Sequence, residues 1–353
     1  MTKSILMGAK PIGVVTQLQS TAGGAAADSA RVQALRGLAC ILLVAFHVIG
    51  SHSDSGMVVP DDSCWRTFSN IFTPLRMPLF TFLSGFVYGY RPVRENQVGL
   101  FIRRKLTRLW LPLVTVTTIY YLATLVVPDA TGQRALNEVW KIYIFSYVHF
   151  WFLQAIILIF AAVLILERVR ALATAPRFAV VLAMAFVLSS VADTDQATLM
   201  SWYQALQLSP FFLLGLAANR FDDLFRKPQV LRTCAFAFVI TMGFHVHHMA
   251  TWSGVAQRGS VLDLLIGATG TLTLLGFFPC AQYLGRLGMY SFAVYLFHPF
   301  FVAFTRKMLG MLHLTADELV FIACLVAGLM GPVILERIVS RIPVARTALL
   351  GQK

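Results

Sequence analysis

Ten apolar stretches divide the 353-residue chain, at about 34–50, 70–90, 109–128, 149–167, 178–192, 201–219, 230–249, 260–283, 288–305 and 317–336. Most approach the roughly 17 to 25 residues that a helix needs to cross the hydrocarbon of a bilayer. In lipid a backbone must satisfy its own N–H and C=O groups, and apolar runs of this length do so as helices. Only 13% of the residues are charged, where a soluble domain carries roughly 25%. The expected fold is therefore all-α, a polytopic transmembrane helical bundle of about ten spans. The stretch at 178–192 is the shortest, and "VWKIYIFSYV" (139–148) reads as an interfacial or re-entrant piece.

Charge gives the expected orientation. With a cytoplasmic N-terminus, ten spans assign 22 of the 29 Lys and Arg residues to cytoplasmic segments. Six fall outside (Arg66, Arg134, Lys141, Arg258, Arg306, Lys307), and Arg76 falls within a span. Positive residues accumulate in cytoplasmic loops in this way, so both termini are expected inside. Topology thus accounts for the net charge of +13 without nucleic acid as a partner. The expected organisation is a disordered cytoplasmic tail over 1–30, a transmembrane domain over 31–340 and a short basic cytoplasmic tail over 341–353. Cys40, Cys64, Cys234, Cys280 and Cys324 show no CxxC spacing, and read as packing residues rather than metal ligands or a disulfide framework.

Ionisable residues inside a span mark a functional site by default, because hydrocarbon cannot solvate them. The first stretch, "ALRGLACILLVAFHVIG" (34–50), carries Arg36 and His47. Eleven helical residues turn through about 1100°, so the two lie about 20° apart on one stripe and about 16 Å apart along the axis. The second stretch, "PLRMPLFTFLSGF" (74–86), holds two prolines, Arg76 and Ser84; such helices are tolerated where a neighbour or a wet cavity satisfies the freed backbone. "FIRRKLTRLWLP" (101–112) carries Arg103, Arg104, Lys105 and Arg108, spaced so that several can face one polyanion. His298 precedes Pro299, which frees a carbonyl one turn earlier, and reads either as an acceptor-side polar group or as packing. Trp151 reads as a sugar-stacking ring or an interface anchor. His245, His247 and His248, with no carboxylate nearby in sequence, read as solvated interface residues rather than a metal site.

Taken together, R-x10-H in the first stretch, "LSGF" in the second, the basic cluster running into "RLWLP", "HFWFL" (149–153) and "YSFAVYLFHPF" (290–300) resemble the acyltransferase-3 family of integral membrane acyltransferases. The resemblance covers most of residues 31–340. It implies transfer of an acetyl or other short acyl group from cytoplasmic acyl-CoA, with acetyl-CoA as the leading donor, to a hydroxyl of an exported glycan or glycolipid. It implies a bacterial inner-membrane protein, and no C-terminal hydrolase domain is expected. Carried over, the R-x10-H pair falls on Arg36 and His47. The family's basic pair before the third span, usually R-x-x-R, falls on Lys105 and Arg108, with Lys in the first place and Arg103 and Arg104 just before it. The ninth-span histidine falls on His298, with Tyr290, Ser291 and Tyr295 upstream.

Neutral imidazole can take a hydroxyl proton at cellular pH, so His47 is expected to be the catalytic base, with Arg36 on the same stripe. Arg103, Arg104, Lys105 and Arg108 are expected to hold the donor's phosphates. Ser84, Trp151, Tyr295, His298 and Arg76 are the candidates for substrate contact, and no metal is expected. Direct transfer is favoured over an acyl-enzyme, because no Ser or Cys stands out with a base at suitable spacing. Two other readings stay open at this point: a transporter or flippase lined by the same Arg and His residues, and haem held by His47 and His298.

Overall fold

The computed structural model describes residues 12–93, 97–126, 136–192, 198–252 and 259–352, with side chains from Asp28 onward. Lys3, Lys10, Arg94, Arg134, Arg258 and Lys353, which entered the charge count, lie outside the described residues, as does the start of the expected 1–30 tail.

Among the described residues the regular structure is helical, apart from one isolated bridge between Phe145 and Leu199. The long α1 (Ile12–Ile49) leads through a loop to α2 (Cys64–Ile71) and α3 (Thr73–Gly89). Next come α4 (Val98–Lys105), a π-helical turn (Leu106–Trp110) and α5 (Leu111–Val126). A single helical turn, α6 (Lys141–Ile144), precedes α7 (Trp151–Arg168), α8 (Ala175–Ser190) and α9 (Trp202–Arg220). The chain continues through α10 (Asp222–Phe225), α11 (Pro228–Trp252), α12 (Val261–Phe277), α13 (Gln282–Met289), α14 (Ser291–Met311), α15 (Asp317–Val339) and α16 (Pro343–Leu350).

Each of the ten apolar stretches carries a helix, yet among the described residues only six helices are long and apolar enough to cross a membrane; α13 and α14 form a seventh if counted together across their 79° bend. The difference has local causes. Helices α8 and α12 have 16 and 17 residues, and α9 interrupts its apolar run with Gln204, Gln207, Ser209 and Pro210. The segment 139–148 does not span. It is one helical turn followed by irregular backbone that side chains satisfy: Gln154 donates to the carbonyls of Tyr143 (3.1 Å) and Phe145 (3.2 Å), and Ser201 donates to Gln154 (2.6 Å).

Glycines set the two closest crossings. A Cβ on Gly85 would overlap the Phe212 carbonyl and one on Gly215 the Phe82 carbonyl, so α3 and α9 touch backbone to backbone. Gly37 and Gly288 do the same for α1 and α13. Between apolar helices in lipid, such close approach replaces the missing hydrophobic drive.

The two ends of the bundle are fastened by arginines. At the end carrying α4, α10 and α16, here the basic end, Arg220 bridges Glu167 (2.5 Å) and the Leu172 carbonyl (2.8 Å), and Arg226 pairs with Asp28. The hydrogen bond it donates to the Asp28 carboxylate raises the Arg226 guanidinium above its ordinary pKa. At the opposite end, Arg66 donates to the carbonyls of Gly50 and Val59, and Arg306 reaches the Gly56 carbonyl at 2.6 Å, holding the loop after α1.

Candidate active site

The stripe on α1 is the spine of the site. The adjoining flank of the same helix, Cys40, Val44 and Val48, packs into an apolar cluster with Val294, Val302 and Cys324, which fixes the rotation at which α1 presents Arg36 and His47. Arg36 lines a cavity of about 780 Å³ at the basic end, and His47 lines a second cavity of about 520 Å³ at the opposite end. Tyr295 lines both. Its hydroxyl donates to the His149 carbonyl at 2.5 Å, which ties α14 to the turn that opens α7.

The basic-end cavity carries Arg36, Arg91, Lys105 and Arg108 among aromatic walls that include Tyr88, Phe101, Phe160 and Phe292, and among the described residues its lining holds no carboxylate. Among the described residues no carboxylate pairs with Arg36, Lys105 or Arg108. Lys105 Nζ lies 3.4 Å from the Phe160 ring centroid, and Arg108 lies 5.6 Å from that of Phe292, so aromatic faces hold the cations without neutralising them. Burial, reinforced by the Asp28 carboxylate, raises the Tyr90 phenol above its ordinary pKa, and this rim residue stays a hydrogen-bond donor. Unpaired cations beside flat rings suit a ligand with phosphates and a heterocycle.

Of the four cations in the cluster, the cavity receives two. Its lining from this segment is Phe101, Lys105, Arg108 and Leu109; Arg103 and Arg104 are exposed and off that face. Consecutive residues diverge by about 100° on a helix, so Arg104 and Lys105 cannot both point inward. Arg108 sits in the π turn, a distortion often found at functional sites. Gly351, at φ +61°, closes against the backbone of Thr107 and Arg108, where a Cβ would overlap, and the Thr115 hydroxyl holds the Ala348 carbonyl at 2.6 Å. The C-terminal helix thus braces the turn that presents Arg108.

The opposite cavity mixes His47, His149, Arg76, Asp263, Asn70 and Gln207 with the faces of Trp151, Phe46 and Phe211. The Arg76 guanidinium stacks 3.5 Å from the Phe46 ring centroid. Ser84 faces the basic-end cavity while its hydroxyl bonds the Phe80 carbonyl at 2.9 Å. His298 is fully buried and lines neither cavity, yet its ring centroid is 4.8 Å from that of His47 and 5.4 Å from that of His149. His149, 6.1 Å from His47, was present in the sequence only as the first letter of "HFWFL"; a histidine at the mouth of an apolar stretch was its one signal. Asp263 was missed because it reads as a helix cap: Ser260 caps α12, and Asp263 accepts from the Gly259 amide at 3.0 Å. His245 differs from its expected solvated state. It is buried against α2, with Nε2 3.3 Å from the Asn70 carbonyl.

A basic cavity and a histidine-lined cavity, back to back within an apolar helical bundle and separated by one tyrosine, form the layout that an integral-membrane transferase needs. Residues 29–337 match the acyltransferase domain that defines the acyltransferase-3 family, and the chain belongs to that family. No curated protein and no solved structure matches it.

Proposed function

We propose that this membrane acyltransferase moves an acetyl or other short acyl group from cytoplasmic acyl-CoA to a hydroxyl of an exported glycan or glycolipid. In this reading it is a bacterial inner-membrane protein with ten spans and both termini cytoplasmic. One observation carries the reading: a single stripe of α1 presents Arg36 to the basic-end cavity and His47 to the opposite one, and the two cavities meet at Tyr295.

In this scheme Arg36, Lys105 and Arg108 bind the donor's phosphates, and the pantetheine arm runs along α1 toward Tyr295. The roughly 16 Å between Arg36 and His47 suits an extended arm of that kind. The acceptor enters the cavity of His47, where Asn70, Gln207 and Asp263 offer hydrogen bonds beside Trp151, a mixture suited to a sugar. His47 takes the acceptor's hydroxyl proton while the oxygen attacks the thioester carbonyl. The new C–O bond forms, the C–S bond breaks, and the proton on His47 passes to the departing thiolate. Direct transfer needs no acyl-enzyme.

Membrane vesicles of both orientations test the sidedness. Labelled acetyl-CoA added outside is expected to acylate glycan in inverted vesicles and not in sealed right-side-out vesicles. Equal labelling of both would overturn the proposal.

A further inference from the structure

A buried histidine that lines neither the basic-end nor the opposite cavity calls for a different role from substrate contact. His298 sits one residue before Pro299, and a proline leaves the carbonyl four residues back without its helical donor. That carbonyl belongs to Tyr295. The His298 Nδ1 takes it at 3.0 Å and shares its proton with the Val294 carbonyl at 2.8 Å. The same device recurs in α9, where Ser209 precedes Pro210 and donates to the Leu206 carbonyl at 2.9 Å. For a neutral imidazole the consequence is chemical. A proton fixed on Nδ1 leaves a lone pair on Nε2, and Nε2 of His298 is buried with no hydrogen-bond partner among the described residues. Leaving such an atom unpaired carries its full desolvation cost.

The nearest ring with a proton to give is His47, on α1. A centroid separation of 4.8 Å, at a tilt of 48°, is short enough for a nitrogen of one imidazole to reach a nitrogen of the other once the His47 ring is turned toward it.

We propose that His298 is a positioning residue for His47, its Nε2 lone pair accepting the N–H of His47 and so presenting the other His47 nitrogen, unprotonated, to the acceptor cavity. This rests on the reading of His47 as the base. When His47 takes the acceptor's proton, His298 holds the N–H of the resulting imidazolium and itself neither gains nor loses a proton. The device consists of three consecutive features of α14: a carbonyl freed by Pro299, a histidine that fills it, and a lone pair aimed away from that bond.

Two amides separate the functions of the two His298 nitrogens. In His298→Gln an amide oxygen takes the place of Nε2, while in His298→Asn an amide N–H takes the place of Nδ1 and the acceptor is lost. With full-length protein in nanodiscs, Gln is expected to keep kcat within about tenfold of wild type. Asn is expected to lower kcat by about 100-fold, with CoA binding and folded yield unchanged. Wild-type kcat in the Asn variant, or equal losses in Gln and Asn, would overturn the proposal. A His47→Ala protein that still transfers acyl groups would instead refute the reading of the base on which it rests.

Discussion

Donor binding gives the sharpest test of the basic-end cavity, because sequence and structure divide the four cations differently. Lys105 and Arg108 line the cavity with Arg36, while Arg103 and Arg104 are exposed outside it. A hydrogen bond between a charged side chain and a phosphate contributes about 1.5–3 kcal/mol, which corresponds to roughly 10- to 150-fold in Kd. Arg36 is half-buried beside apolar walls, so Arg36→Ala belongs toward the upper end of that range. Arg108 is more exposed and better screened, which places Arg108→Ala near the lower end, at about tenfold. Arg103→Ala and Arg104→Ala remove only long-range attraction, worth about twofold or less at physiological salt. The assay is calorimetric titration of CoA into purified protein at two salt concentrations. Losses at Arg103 or Arg104 as large as those at Arg36 and Arg108 would refute the assignment of the cavity as the donor site.

Three further outcomes follow from the packing and the site. Gly85→Ala drives a Cβ into the Phe212 carbonyl and is expected to cost about 1–3 kcal/mol, read as a lower thermal midpoint in detergent; an unchanged midpoint would contradict the α3–α9 crossing. Cys64 and Cys280 are both exposed at opposite ends of the bundle. A membrane-impermeant maleimide on intact cells should label Cys64 and reach Cys280 only after permeabilisation, and simultaneous labelling would contradict the proposed orientation. Tyr295→Ala removes the side chain shared by the two cavities and should raise acyl-CoA hydrolysis in the absence of acceptor; hydrolysis at the wild-type rate would contradict its role as the partition.

The apolar stretches were legible because helices in lipid must be long and apolar, and most became helices near the expected bounds; α1 instead begins at Ile12, within the segment expected as a disordered tail, and α12 ends at Phe277, short of 283. Their number as spans was less legible, since α8, α9 and α12 are shortened or interrupted by polar residues that pack inside the protein. The Arg36–His47 stripe follows from helical period alone. Which cations join it does not, because the choice between Arg104 and Lys105 depends on how α4 and the π turn rotate against α7, which no local pattern encodes. His298 was visible as an ionisable group in an apolar stretch. Its placement behind His47 rather than in a cavity depends on α14 packing against α1. His149 and Asp263 were hidden by plausible local roles, one inside an aromatic motif and one as a helix cap.

The central claim is that His47 activates the acceptor for attack on an acyl-CoA held from the other end of the bundle. The direct measurement incubates purified protein with radiolabelled acetyl-CoA and cell-envelope glycans, comparing wild type with His47→Ala at matched folded yield. The account predicts label in glycan with wild type and none with His47→Ala, while both bind CoA equally. Near-normal transfer by His47→Ala would contradict it.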